Sequence, residues 1–286
     1  MGGGCELLFC AAHEEEARRA AETAVGEVRR IEHKYSRYRT DSVVSQVNQA
    51  AGTGTWTECD EETIWLFNYA GILYTNSGGL FDITSGVLRR AWNFDAGIVP
   101  DAETLAPLLA LIGWQRVERH EKNVRLPEPG MEVDFGGFGK EYAADSAASL
   151  VAKLGMAHGY VNLGGDIRVI GSQPDGQPWL IAIQDPRQRG KIVATIPVQA
   201  GGLATSGDYE KFFEKDGRRY CHVLDPRNGM PVAYWRSVSI VAPLAIVAGS
   251  YSTIAMLQED AGIDWLKRSG FPYLALANDG ELYQST

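Results

Sequence analysis

The stretch Leu203–Pro231, LATSGDYEKFFEKDGRRYCHVLDPRNGMP, constrains the fold more than any other part of the chain. Aromatic Tyr209, Phe212 and Phe213 run into Lys215-Asp216-Gly217 and return through Tyr220, His222 and Leu224 in alternation. An Asp-Gly pair between alternating runs is a strong hairpin signal, because the tight turns that match strand twist need positive φ at their centre. Such a hairpin folds Thr205, Ser206, Gly207 and Asp208 back beside His222 and Asp225. It would bring two hydroxyls, an imidazole and two carboxylates to one end of a sheet, a set suited to binding and moving a phosphate ester. Taken singly, each residue reads as an ordinary turn or strand position. Three further clusters shift the reading: GGLFDITSGVLRRAW at 78–92, VDFGGFGKEYAADSA at 133–147 and VNLGGDIRVIG at 161–171.

The flanking chain alternates helices with strands in blocks. Ala17, Ala20, Ala21, Ala24, Val25, Val28, Ile31 and Tyr35 recur at spacings of three and four behind an acidic first turn, which predicts one long amphipathic helix. Further helices are expected around 43–47, over 61–76, over 103–112 and over 140–154, the last stopped by Gly155. Strands are expected at 6–11, 124–126 and 131–134. From Gly159 the chain turns β-rich, with strands at 159–163, 166–171, 179–184, 192–198, 203–206, 210–214, 218–224 and 236–242. Helices over 244–258 and 262–269 follow, and a hairpin turning at Asn278-Asp279-Gly280 closes the chain. No βαβ repeat is visible, so the expected class is α+β with one continuous core and a mostly antiparallel sheet.

With 286 residues, 45% hydrophobic and 22% charged, the chain has the composition of an ordinary globular protein. Its net charge of -9 argues against a grip on nucleic acid through phosphates, which needs a basic face. Cys5, Cys10, Cys59 and Cys221 show no paired spacing, so free thiols in a reducing compartment are expected. No run approaches the ~18 apolar residues of a membrane span, and no basic leader opens the sequence, so the expected location is the cytoplasm.

Gly136, Gly137 and Gly139 lead into a helix that begins Lys140, Glu141, Tyr142. Glycines let backbone N–H groups approach a ligand, a helix N-terminus attracts anions, and Lys140 adds a full charge. The stretch is neither a GxxxxGK[ST] loop nor a GxGxxG fingerprint, and a tight strand-to-helix turn explains it equally well. Asp82 offers a carboxylate at a loop edge beside Phe81, whose ring could stack on a planar ligand. Asn162-Leu163-Gly164-Gly165-Asp166 reads as a strand broken by a sharp bend. Ser250, Ser252 and Thr253 put three hydroxyls within one turn of an otherwise apolar helix. These parts suit a phosphorylated aromatic cofactor with a hard cation.

In order along nearly the whole chain, RYRTDSVVSQVN, GGLFDITSG with RRAW, VDFGGFGKEYAADSA, VNLGGDIR, ATSGDYEKFF, YCHVLDPRNGMP and SVSIVAPLAIVAGSYST resemble the motifs of the ApbE family, the FAD:protein FMN transferases. The resemblance implies one ApbE-like (T-fold-like) domain over 1–286. It implies FAD as substrate, Mg2+ as cofactor and a partner protein whose threonine hydroxyl attacks the FMN phosphorus while AMP leaves. His222 then matches a histidine that helps deprotonate the acceptor, and Asp225 would orient the flavin or that histidine. Tyr38, Leu80, Phe81, Asp82, Gly136, Lys140, Tyr142 and Val223 would surround FAD, with Asn48, Asp134, Thr205 and Ser206 as further contacts. The cation would be held through Gly139, Ser252 and Thr253.

At two points the chain departs from the pattern. Gly249 stands where the family has a metal-binding aspartate, although Thr253 is kept, and Glu141 replaces a usual glycine. Loss of that carboxylate implies weaker magnesium binding, offset in part by Asp166 or Asp225, and Gly249→Asp would be expected to strengthen it. An FAD hydrolase with water as acceptor, and a flavin binder without chemistry, remain as alternatives.

Overall fold

A computed structural model describes residues 4–188 and 190–285. In chain order its elements are β1 (Cys5–Phe9), α1 (Glu14–Tyr35), α2 (Val43–Gln49), β2 (Thr57–Glu58), α3 (Glu61–Asn76), a 3-10 helix (Ile83–Arg90), α4 (Ala102–Leu109), β3 (Glu118–His120), β4 (Asn123–Arg125) and α5 (Gly139–Lys153). The second half adds β5 (Gly159–Leu163), β6 (Asp166–Gly171), β7 (Trp179–Gln184), β8 (Ile192–Val198), β9 (Gly201–Gly207), β10 (Phe212–Lys215), β11 (Arg218–Cys221), β12 (Trp235–Ala242), α6 (Ala245–Leu257), α7 (Gly262–Ser269), β13 (Tyr273–Ala277) and β14 (Leu282–Gln284). The chain divides into two compact units. Among the described residues, a sheet unit takes 4–32, 137–188, 190–209 and 234–285, and a helical unit takes 33–136 and 210–233.

The sheet unit is built on seven strands in the order β1-β5-β6-β9-β12-β13-β14, every neighbouring pair antiparallel. Alternation along the strands gives the sheet two apolar faces. Ile167, Val169 and Leu203 point to one face, where they pack with Ile183 and Val198 of the β7–β8 hairpin. Ala204 and Ser206 point to the other, beneath α5 and α6. Asp145 fixes the start of α6: its carboxylate accepts from the Ala245 and Ile246 N–H groups, both at 2.9 Å. At Gly202 a Cβ would run into the backbone of Ala245, so this strand position admits only glycine and lets α6 settle on the sheet.

The helical unit holds α2, α3, α4, the 3-10 helix, the small sheet β2-β4-β3 and the separate β10–β11 hairpin. Asp60 caps α3 by accepting from Thr63 N–H at 3.0 Å. Around Leu88, Trp92 and Leu105 pack Phe94, Phe213, Tyr220 and Met230, with the indole N–H of Trp92 donating to the Gly229 carbonyl at 2.8 Å.

The α+β class and its antiparallel sheet stand as expected. The hairpin turns at Asp216 and Gly217, with φ of 52° and 73°, as the sequence signal requires. Three expectations are corrected. Residues 131–134 form no strand; the side-chain amide of Asn48 takes the place of a partner strand, donating to Val133 O at 3.0 Å and accepting from Val133 N at 2.8 Å. Thr205 and His222 do not share a sheet, because Thr205 lies in β9 of the large sheet while His222 follows the two-stranded β10–β11. Nor do Thr205 and Ser206 act as a pair, since neighbours on a strand point to opposite faces: Thr205 Oγ1 bonds Ser239 Oγ at 2.8 Å, and Ser206 turns toward α6. Among the described residues, no helix is long and apolar enough to cross a membrane.

Candidate active site

In the sheet unit, polar groups gather where the first turn of α5 meets α6 over β6 and β9. Ser206 Oγ lies 2.7 Å from Ser252 Oγ and 2.9 Å from Thr253 Oγ1, and Ser252 donates to the Gly249 carbonyl at 2.9 Å. The hydroxyls of β9 and α6 thus form one chain. On the adjacent strand Asp166, almost buried, pairs with Lys140 Nζ at 2.9 Å. Lys140 and Tyr142 belong to the first turn of α5, whose cap residue Phe138 brings no side-chain acceptor.

Between these groups lies Glu141, only 6% exposed. Its Oε2 is buried with no hydrogen-bond partner among the described residues. A Cβ at position 249 would stand 2.7 Å from Glu141 Cγ and 2.8 Å from its Cδ, so the glutamate occupies the space that a side chain there would need. Burial pushes the Glu141 carboxyl well above the usual range, and the Asp166 charge pushes it further, while Lys140 draws it back. Asp166 is also raised by burial, against the pull of Lys140 and of the Thr205 N–H. Burial thus favours the protonated form of both acids, and a cation bound beside them would draw them back toward the carboxylate form.

The helical unit carries the rest of the predicted set. Tyr38 leaves 81% of its surface exposed, its hydroxyl accepting from Arg37 Nη2 at 2.8 Å and its ring lying 4.9 Å below the Arg37 guanidinium carbon. That hydrogen bond holds the phenol below its ordinary pKa. Arg37 also pairs with Asp134, which accepts from Gly136 N–H at 2.9 Å. Sequence reasoning missed Arg37, although it directly precedes Tyr38 in the motif RYR. Leu80 and Phe81 are interior residues.

Asp82 is no loop-edge carboxylate. It is buried as the cap of the 3-10 helix, accepting from Thr84 N–H at 2.8 Å, Thr84 Oγ1 at 2.6 Å and Trp114 N–H at 3.0 Å. Burial raises its pKa and these bonds partly offset the shift. His222 is exposed, its backbone N–H donating to Lys211 O at 3.0 Å, and Val223 beside it is buried. Asp225 closes the turn through Gly229, accepting from Arg227 N–H at 2.8 Å and from Arg227 Nη2 at 2.7 Å. Its carboxylate is therefore engaged locally. Asp208, part of the opening cluster, is likewise committed to a bidentate pair with Arg187 at 2.7 and 2.6 Å.

The sheet unit thus brings hard oxygen donors, a lysine and a helix start into one corner. The chain belongs to the ApbE family, whose model matches residues 1–275. It is similar to the ApbE protein of Thermotoga maritima at 32% identity and a TM-score of 0.90, covering 99% of this chain and 94% of that one. The apo flavinyl transferase ApbE of Pseudomonas stutzeri matches at 26% identity and a TM-score of 0.87, over 100% of this chain and 92% of that one. The FAD:protein FMN transferase of Klebsiella pneumoniae is 29% identical over 261 residues, which are 87% of this chain and 74% of that protein.

Proposed function

We propose that this chain is an FAD:protein FMN transferase, moving FMN from FAD to a threonine hydroxyl of a partner protein with release of AMP. The reading is supported by membership of the ApbE family over 1–275, and the observation offered as its site is the polar corner of the sheet unit, where Lys140 pairs with Asp166 and Ser206 meets the hydroxyls of α6. The acceptor oxygen forms a bond to the FMN phosphorus as the bond from that phosphorus to the AMP oxygen breaks. The acceptor's proton goes to a base, for which exposed His222 is the candidate. Tyr38 offers an open ring for stacking, and Lys140 offers charge to the diphosphate. Among the remaining residues assigned by resemblance, Asp134 pairs with Arg37, which holds the Tyr38 hydroxyl, while Asn48 is committed to the Val133 backbone and Thr205 to Ser239. The full span 1–286 is read as one catalytic domain.

The residues fit a hard divalent cation such as Mg2+. Glu141 Oε2 is a buried oxygen without a partner among the described residues, Asp166 lies beside it, and the hydroxyls are hard donors too. Among the described residues no group of three His, Cys, Asp or Glu could hold a metal alone. Ser252, Thr253, the Gly139 carbonyl and the substrate phosphates would complete the set. When bound, the cation would neutralise charge on the diphosphate as AMP departs. The scarcity and unpaired spacing of cysteine in the sequence favour a reducing compartment such as the cytoplasm.

The test incubates the protein with FAD and Mg2+, with and without a threonine-containing acceptor peptide, and follows AMP release and peptide mass. AMP together with a peptide heavier by one FMN supports the transferase. AMP without labelling makes the protein a hydrolase, and intact bound FAD makes it a flavin binder.

A further inference from the structure

The departure at Gly249 and the departure at Glu141 occupy one place. The two positions lie 108 residues apart in sequence (249 minus 141), yet the Glu141 carboxyl fills the volume beside the Gly249 Cα. One of its oxygens is buried and accepts nothing among the described residues. A buried carboxylate oxygen left in this way costs folding energy unless a ligand uses it. Asp166, the Lys140 ammonium and the hydroxyl chain of Ser206, Ser252 and Thr253 stand in the same corner.

We infer that Glu141 is the carboxylate ligand of the divalent cation in this chain, projecting from α5 into the space that a side chain on α6 at position 249 would otherwise fill. The acid has changed helices and kept its place. The expectation that Gly249→Asp strengthens magnesium binding is thereby reversed, because the second carboxylate would overlap the first. The inference rests on the transferase reading only for the need for a cation; the choice of ligand stands on the geometry.

Calorimetric titration of Mg2+ into the flavin-free protein tests it without recourse to turnover. Glu141→Gln keeps the shape and removes the charge, and should weaken Mg2+ binding by roughly tenfold or more, in line with affinity set by ligand charge. Gly249→Asp alone should bind no better than the parent and should melt lower. The exchange variant Glu141→Gly with Gly249→Asp should recover the binding that Glu141→Gly alone loses.

Unchanged affinity in Glu141→Gln would overturn the assignment, as would an exchange variant that melts like the parent but binds no better than Glu141→Gly. A parent chain that takes up no Mg2+ at millimolar concentration would overturn it as well. AMP release measured alongside separates the two readings. A parent that binds Mg2+ through Glu141 yet releases no AMP fails as a transferase and keeps its ligand. Conversely, Mg2+-dependent AMP release with peptide labelling that survives Glu141→Gln sinks the ligand and keeps the transferase.

Discussion

Asp82 and Glu141 are both acids at the start of a helix, 7% and 6% exposed, and burial raises the pKa of each. They differ in what their oxygens do. Asp82 commits both within its own unit, with three donors from Thr84 and Trp114 between 2.6 and 3.0 Å. Glu141 keeps Oε2 without a partner among the described residues, and the charge of a second acid, Asp166, disfavours its ionised form. A buried carboxylate whose acceptors are all used holds architecture together, whereas one with capacity left over is held ready for something that arrives later.

The contrast between the two acids would break most visibly if either proved to be the group that moves the proton. His222→Ala is expected to lower transfer by about 10²–10⁴-fold while FAD binding, followed by flavin fluorescence, stays nearly intact. Turnover close to the parent would remove His222 from the mechanism. Next in size, Asp82→Ala removes a cap and strands the Thr84 and Trp114 N–H groups, at a cost of about 3 kcal/mol in urea unfolding. The cost should be the same with and without Mg2+. A magnesium-dependent loss would mean that Asp82, too, is reserved for a ligand.

A smaller effect is expected at Gly249→Ala, whose new Cβ must displace Glu141. Overpacking of this kind costs about 1–3 kcal/mol, and Glu141→Gly in the same chain should recover most of it. Thermal melts of the single and double variants measure the coupling; simple additivity would deny that the two positions share one space.

The smallest effect is in pH. The folded pKa of Asp82 lies above its unfolded value, so its contribution is fully present below the ordinary carboxylate range and is lost as pH rises through the raised folded pKa. Between those two values stability should fall by about 1.4 kcal/mol for each step of one in pH. Asp82→Asn should flatten this part of a urea-derived stability profile, and a profile of unchanged slope would assign the dependence to Asp145 or another raised acid.

Much of this molecule is legible in the sequence because its signals are local. The spacing of Ala17 to Tyr35 marks α1, Asp216-Gly217 marks the hairpin turn, and Gly164-Gly165 the bend between β5 and β6. What could not be read depends on partners far away in the chain. Val133 looks like a strand residue until Asn48, 85 positions earlier, claims its backbone. Asp82 looks like an open carboxylate until Trp114 closes over it. Glu141 is plain in sequence as an exchange for glycine, but only the packing of α5 against α6 shows that it fills the place vacated at 249. Thr205 and Ser206 are the reverse case, where strand alternation alone could have separated the pair.

The shared volume at Gly249 and Glu141 also bears on ancestry. A chain carrying acids at both positions is crowded, and a chain carrying neither has lost a charge from its ligand corner. If Glu141 is the ligand inferred above, each single substitution between the two arrangements would pass through a crowded or under-charged corner, which would make the pair an epistatic lock. Lineages on either side of it should exchange the two residues together or keep both as they are.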